Sequence, residues 1–292
     1  MRQRLVPICF LSTLLCLVSL NSSAQTLVKP PILADSWSQP YPGFKIVGNL
    51  YYVGTNDLAC YLIATPEGHV LINTGLPGSA SMIRTSVEAL GFRFQDIKLL
   101  LTTHAHYDHV GGTAEVMKLT GARMLINERD ASVLEDGGNS DYAFGGKGST
   151  FEAFSADALY RGGDTIRFGG MDIVSLPHPG HSKGANSFLI SIADEQRSYK
   201  VLIANIPTVV AANLSSVPGY AGIVEDYEYT FEAMKKIEFD IFLASHAGQF
   251  GLHQKRKPAD SYNPPAFVDR KGYDMIIDQM LKEYRRRLAA KN

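Results

Sequence analysis

The chain has 292 residues, and its 28 Lys and Arg against 29 Asp and Glu give a formal net charge of −1. Hydrophobic residues make up 45% and charged residues 20%, a composition that is typical of a folded globular protein and excludes a disordered one. The balanced charge provides no basic surface for nucleic acid, and 3 cysteines are too few for a disulfide framework or a cysteine zinc finger.

Residues 1–24 have the pattern of a secretory signal peptide. A basic start and an apolar run over residues 5–20 precede small residues at the −3 and −1 positions of a cleavage site after Ala24. The run is short for a membrane anchor, and the leucine before Cys16 does not fit a lipoprotein site. The sequence therefore predicts an exported, periplasmic protein with no stable membrane insertion, folded over residues 25–292.

Cysteine usage agrees with this interpretation. Cleavage removes Cys9 and Cys16, so that Cys60 alone remains and no intramolecular disulfide can form. Cys60 lies in the apolar run 59–63, which predicts a buried core thiol rather than a catalytic one.

Downstream of a proline-rich arm over residues 25–42, short strands and helices alternate without a Gly/Ser linker. A Gly-rich stretch at 136–148 predicts a long surface loop. The predicted helices cover 79–90, 113–119, 227–237 and 272–288. The predicted strands cover 45–47, 50–53, 60–64, 70–73, 97–101, 124–126, 165–168, 172–176, 187–192, 200–204 and 241–244. This pattern predicts an α/β fold in which two mixed sheets pack face to face with helices outside.

A histidine-rich segment directly follows the apolar strand 97–101. Its pattern H-x-H-x-D-H consists of His104, His106, Asp108 and His109. The first two histidines are two residues apart and project to the same side of extended backbone, whereas the aspartate and third histidine lie where the chain turns and face a second point. Imidazole and carboxylate ligands without thiolate suit zinc at a catalytic site. The alternative is a polar loop whose histidines only form hydrogen bonds.

Two further histidines each follow an apolar strand, where α/β folds present functional loops. His181 comes after the strand 172–176 and His246 after the strand 241–244, so we expect them to complete a six-ligand site. The remaining histidines are predicted to be structural or surface residues; they are His69, His178 and His253.

At these residues the chain resembles the metallo-β-lactamase superfamily, from Asn49 almost to its end. Within that superfamily it resembles the third subclass of class B β-lactamases, and especially the GOB-type branch. The segments that carry this narrower resemblance are 180–184 (GHSKG), 201–205 (VLIAN), 244–246 (ASH) and 250–257 (FGLHQKRK). The resemblance implies an αβ/βα four-layer sandwich, with residues 25–292 as a single catalytic domain.

The resemblance also implies the ligand sets. One zinc is expected at His104, His106 and His181, and the other at Asp108, His109 and His246. GOB-type relatives carry Gln at the position of His104, so the histidine here predicts the usual three-histidine site and two Zn²⁺ per chain. The implied reaction is direct attack of a zinc-bound hydroxide on the β-lactam carbonyl of penicillins, cephalosporins or carbapenems, which confers antibiotic resistance. Asp108 is expected to orient that hydroxide as well as to bind metal.

Substrate contacts are less constrained by the resemblance. Trp37, the 1 tryptophan of the chain, lies in the arm and is either an aromatic platform for substrate or an anchor for the arm. Tyr142 and Phe144 are candidates for the pocket wall. Lys183 and Ser216 are candidates for binding the substrate carboxylate.

Two other functions remain open. The strand 200–204 ends without the carboxylate that bridges both metals in many relatives, and this favours the lactamase over a lactonase, thioesterase or phosphodiesterase of the same fold. A zinc-stabilised binding protein without turnover is the third possibility. The expected partner is a small β-lactam, the expected state is a monomer, and the basic runs 255–257 and 285–287 are predicted to be solvated charge rather than a phosphate-binding surface.

Overall fold

The computed structural model describes residues 26–290, which fold around two β-sheets. The first sheet has strand order β1 to β7, and the second has the order β12-β11-β10-β9-β8. The strands of the first sheet are β1 (Phe44–Val47), β2 (Leu50–Tyr52), β3 (Tyr61–Thr65), β4 (Gly68–Ile72), β5 (Ile97–Leu101), β6 (Arg123–Asn127) and β7 (Ala158–Tyr160). Those of the second are β8 (Thr165–Phe168), β9 (Met171–Pro177), β10 (Asn186–Ala193), β11 (Ser198–Ala204) and β12 (Ile241–Ala244).

Helices connect the strands in both halves of the chain. They are α1 (Ala80–Ala89), α2 (Tyr107–Val110), α3 (Thr113–Thr120), α4 (Ala131–Glu135), α5 (Ile223–Met234), α6 (Leu252–Lys255) and α7 (Arg270–Ala289). Strands β1 to β4 pair antiparallel and β4 to β7 pair parallel, while in the second sheet only β11 and β12 pair parallel. Both sheets are therefore mixed, as the sequence predicts.

The two faces of the first sheet bury different partners. Leu62 and Leu100 belong to a buried cluster with Val87 of α1, on the helix side of the sheet. Because side chains alternate along a strand, their neighbours Ile63 and Leu101 face the other way and belong to the cluster shared with the second sheet. The resulting order is helix, sheet, sheet, helix.

Helices α5 and α7 supply the last layer. The rings of Phe242 in β12 and Tyr273 in α7 have centroids 5.1 Å apart, and Tyr227 of α5 lies 5.5 Å from Tyr284 of α7. The four-layer αβ/βα sandwich is confirmed.

Differences from the predicted elements are local. Helix α5 starts at Ile223 rather than at 227, directly after Gly222 in the left-handed conformation with φ 83°. Helices α2, α4 and α6 and strand β7 were not predicted, since elements of 3 to 5 residues are too short to show a periodic pattern. Residues 136–148 contain neither helix nor strand, as predicted.

The predictions of a signal peptide and of a buried Cys60 have different outcomes. The predicted signal peptide at 1–24 lies outside the described residues. No helix within 26–290 has the length and apolar content that crossing a membrane requires. Cys60 is a free, fully buried thiol, as predicted, and burial raises its pKa to about 12.

Candidate metal centre

The six predicted ligands follow the carboxyl ends of three strands, β5, β9 and β12. The turn after β5 is held by Asn73, which follows β4 and is the one non-glycine residue within 26–290 with a positive φ, at 64°. Asparagine tolerates this left-handed conformation. Its Oδ1 accepts hydrogen bonds from Thr102 Oγ1 and the Thr103 amide, both at 3.0 Å. The backbone leading into the histidine segment is thereby fixed.

The first histidine cluster is buried and compact. The ligand atoms of His104, His106 and His181 all lie within 4.8 Å of one another. His104 Nε2 and His181 Nε2 are 3.2 Å apart, and the His104 and His106 ring centroids are 4.5 Å apart. His181 Nδ1 lies 2.9 Å from the Thr208 carbonyl oxygen, which can only accept, so this nitrogen donates and Nε2 is left free for a metal.

The second cluster is built around Asp108. Its Oδ2 lies 3.2 Å from His109 Nε2 and 3.4 Å from His246 Nε2. Ligand atoms of His104, Asp108 and His109 also lie within 4.8 Å of one another, so the two clusters are adjacent. The structure therefore brings all six predicted residues together, although seven strands (β6 to β12) and 142 positions of sequence separate the first from the last.

Unpaired nitrogens show that these residues fit metal ions. Both ring nitrogens of His109 and Nε2 of His106 are buried without a well-aligned hydrogen bond within residues 26–290. Each of the two Nε2 atoms has only a carboxylate oxygen 3.2 Å away, from Asp108 and Asp141 respectively. Buried polar atoms without partners cost free energy, so they are rare in folded proteins. Metal coordination would satisfy several of them at once.

The electrostatics of the two clusters agree with this fit. Burial lowers the pKa of His104 well below its usual value, and the neighbouring histidines lower it further. Burial also opposes the charged form of His246, but hydrogen bonds to Asp108 and Asp57 outweigh it and raise the His246 pKa to about 9. Since metal ligands must be deprotonated, metal and proton compete for His246.

Three carboxylates support the clusters and were not predicted. Asp130 is buried and accepts hydrogen bonds from the loops that carry the histidines. Asp57 Oδ2 lies 2.9 Å from His246 Nδ1, and Asp141 lies beside His106. Asp57 is in an Asn-Asp turn and Asp141 in a Gly-rich loop, so in the sequence both are typical turn residues.

A cavity of about 400 Å³ opens onto both clusters, a size that suits a small molecule. Trp37 and Phe144 line one side, and the Phe144 and His106 ring centroids are 4.9 Å apart. Five of the six proposed ligands also line it, all except His109. The other lining residues are the carboxylate Asp57 and a set of apolar and neutral polar residues: Ile32, Tyr107, Asn205, Ile206, Thr208, Val210, Ser245, Gly248 and Gln249.

The remaining predicted residues lie in different places. Lys183 Nζ lies 5.8 Å from the centroid of the Tyr220 ring, and Ser216 lines a separate surface cavity, so neither is brought to the metal clusters. Tyr142 does not line the cavity but donates hydrogen bonds to the Gly180 and His181 carbonyls at 2.9 and 3.1 Å.

The histidines predicted to lie outside the site also have defined neighbours. His178 is buried with Nδ1 2.6 Å from Ser187 Oγ, and His253 Nε2 lies 2.7 Å from the Asn56 carbonyl. His69 packs edge-on against Phe92. All three have structural contacts, as the sequence predicts.

The basic run 255–257 is only partly solvated. Lys255 pairs with Asp269 at 2.7 Å, and its side chain is 13% exposed. The Arg256 guanidinium lies 4.3 Å from the centroid of the Phe44 ring. These two cations pack the end of α6 against neighbouring elements, which corrects the expectation of wholly solvated charge.

Known proteins share this architecture. A family model described as "Metallo-beta-lactamase superfamily" matches residues 55–194. The chain is 55% identical to the class B3 di-zinc metallo-beta-lactamase LRA-12 from an Alaskan soil metagenome, covering 89% of this chain and 100% of that one with a TM-score of 0.88. It is 53% identical to a beta-lactamase from Chitinophaga pinensis, covering 90% and 100%, with a TM-score of 0.88.

The metallo-beta-lactamase GOB-18 from Elizabethkingia meningoseptica is 45% identical, with 91% and 98% covered and a TM-score of 0.89. Against the first curated relatives, by contrast, the chain spans 33% to 55% of their length. The comparison over nearly the full length of both chains is therefore the one with the solved structures.

Proposed function

The chain belongs to the metallo-beta-lactamase superfamily, and from this membership we propose that it is a two-zinc β-lactamase of class B3, hydrolysing the amide bond of β-lactams. The observation that carries the proposal is the convergence of six metal-ligating side chains in one cleft. That cleft lies in a chain 45% to 55% identical, over nearly their whole length, to solved class B3 and related beta-lactamases.

In this proposal His104, His106 and His181 hold one zinc, and Asp108, His109 and His246 hold the other. Zinc at such sites supplies Lewis acidity, which polarises a carbonyl and makes water nucleophilic at neutral pH. The histidine at 104, where GOB-type relatives carry glutamine, gives the first site three imidazoles.

The protein's own groups orient the reactants. Asp108 is almost fully buried, lines the cavity and has Oδ2 between two histidines, so its carboxylate is placed to accept a hydrogen bond from the attacking water. Trp37 and Phe144 offer apolar surface to the substrate rings and exclude water from one side.

Neutral donors bind the substrate carboxylate in this proposal. The described residues that line the cavity include no Lys or Arg, whereas Asn205, Thr208 and Gln249 are all present. Asn205 Nδ2 is buried without a partner within residues 26–290, so a substrate oxygen would satisfy it.

Location and assembly complete the proposal. The pattern of residues 1–24 supports export to the periplasm, and the enzyme acts there as a monomer. Hydrolysis of β-lactams in that compartment would confer antibiotic resistance. Cell fractionation of the expressed full chain tests export, and a cytoplasmic, uncleaved protein would contradict it.

Hydrolysis of a chromogenic cephalosporin by the zinc-loaded protein tests the activity. We expect turnover that is lost after prolonged chelation and restored by zinc. Absence of turnover, with hydrolysis of a lactone, thioester or phosphodiester instead, would replace the lactamase by another hydrolase of this family, and activity unaffected by chelation would refute the metal mechanism. Zinc counting on His104→Gln tests the ligand assignment, because unchanged occupancy would contradict it.

A further inference from the structure

The segment 55–58 connects the N-terminal arm to the loop that carries His246. On the arm side, the Asn56 amide donates to the Gln39 carbonyl at 2.8 Å, and Pro40 forms a β-bridge with Thr55. On the other side, Leu58 forms a β-bridge with His246 itself. The N-terminal arm and the proposed ligand His246 therefore both make backbone contacts with the same short segment.

Asp57 makes the same connection through its side chain. Its Oδ2 accepts a hydrogen bond from the Trp37 indole at 3.0 Å and lies 2.9 Å from His246 Nδ1. Its Oδ1 accepts the Gly248 amide at 3.0 Å. One carboxylate oxygen therefore has both the only tryptophan of the chain and a proposed zinc ligand as its partners.

Each of these contacts has a distinct physical effect on His246. A carboxylate that accepts Nδ1–H fixes the tautomer that leaves Nε2 free and makes the imidazole a better metal ligand. The indole N–H and the Gly248 amide hold the carboxylate plane, so that Oδ2 stays aligned with His246. The centroid of the Trp37 ring also lies 5.6 Å from that of His246, so the indole packs beside the ligand whose carboxylate partner it holds.

We propose that Trp37 and Asp57 are positioning residues for His246, through which the N-terminal arm sets how tightly the second zinc is held. Trp37 is then both a wall of the cavity and a support for a metal ligand, rather than one or the other. This inference rests on the proposed function in one respect, which is that His246 holds zinc.

The test measures zinc affinity, not activity. Stepwise zinc dissociation constants are obtained by competition with a chromophoric chelator for the wild type, Trp37→Phe, Asp57→Asn and the double variant. Trp37→Phe keeps an aromatic ring and removes only the indole N–H. Asp141→Asn is the matched control, because it alters a carboxylate beside His106 of the other site.

We expect Asp57→Asn to weaken one zinc-binding step about 10- to 100-fold, as loss of such a partner does in other metal sites. Trp37→Phe should weaken the same step about 3- to 10-fold, less than the full value of a hydrogen bond to a carboxylate, because the indole acts on His246 only through Asp57. The double variant should match Asp57→Asn, because Trp37 acts through that carboxylate. Asp141→Asn should weaken the other step, and circular dichroism confirms that each variant is folded.

Three outcomes would overturn the inference. These are unchanged zinc affinity in Trp37→Phe with a raised KM, additive losses in the double variant, or loss of both zincs together in Asp57→Asn despite a folded spectrum. Failure of the proposed function looks different, because the wild type itself would then bind fewer than two zincs or hydrolyse no β-lactam.

Discussion

Asp130 joins the two loops that carry the first histidine cluster, so replacing it tests how that cluster is assembled. Its Oδ2 accepts hydrogen bonds from the Ala105 amide at 3.0 Å and Ser182 Oγ at 2.6 Å. Its Oδ1 accepts the Gly184 amide at 2.6 Å. This close approach requires glycine, because a Cβ at position 184 would lie only 2.7 Å from the Asp130 carboxyl carbon. The carboxyl is fully buried, and burial raises its pKa against the opposing effect of these donors.

The variant Asp130→Asn keeps the volume and removes the charge. The amide oxygen can replace Oδ2, but the amide nitrogen then faces the Gly184 N–H as a second donor. The Gly184 N–H and the facing amide N–H both lack an acceptor, and each buried unpaired donor costs at least about 1 kcal/mol. The two remaining hydrogen bonds each lose about half their strength without the charge. We therefore expect the free energy of unfolding to fall by about 3 kcal/mol, a large part of the stability of a typical domain.

Urea unfolding of the metal-free protein, followed by circular dichroism, measures this loss without the contribution of bound zinc. Asp164→Asn is the control, because this carboxylate is exposed and its side chain accepts the Arg161 amide at 2.8 Å on the protein surface. The control should change the free energy of unfolding by less than about 0.5 kcal/mol. An Asp130→Asn protein as stable as the control would show that the buried carboxylate does not hold the loops together.

Measurements at three further residues, Asn73, Cys60 and His178, test other parts of the structure. Asn73→Gly should lower the free energy of unfolding by about 2 kcal/mol, because the side-chain acceptor is lost. Asn73→Ala should lower it by about 1 kcal/mol more, because alanine is strained at the positive φ of this position. Equal losses in urea unfolding of the two variants would contradict the backbone argument. Cys60 should react with a thiol reagent at pH 8 at least about 100-fold more slowly in the folded protein than in denaturant, as followed by mass spectrometry. Burial lowers the pKa of His178 to about 3, below its unfolded value, so stability is lost as pH falls below about 6.5, by about 2 kcal/mol at pH 5. His178→Gln should flatten that slope in urea unfolding, and an equally steep slope would refute the assignment.

The sequence predicts the metal centre well because its chemistry is local. Four of the six ligands fall within six residues after a buried strand, and the other two each follow an apolar strand. Strand β5 has the predicted bounds, and its end fixes where the histidine segment begins.

The carboxylates that support the ligands could not be predicted, because their contacts are between residues far apart in sequence. Asp57 lies 189 positions from His246, and Asp130 lies 52 from Ser182, so only the packing of the loops brings them together. Lys183, a candidate for binding the substrate carboxylate, instead lies beside the Tyr220 ring. Closeness in sequence does not predict the neighbours of a side chain that contacts a different loop.

The proposed ligands come from both sheets, since β5 belongs to the first and β9 and β12 belong to the second. An unfolded chain can offer only the four neighbouring residues of the histidine segment, so the complete pair of sites exists only once the sheets face each other. Zinc would then hold the two sheets together at one edge of the sandwich, with a stabilising free energy that grows with the logarithm of the free zinc concentration above the dissociation constant. Depletion of the metal should loosen that edge first, while the apolar interior between the sheets keeps the rest of the fold together.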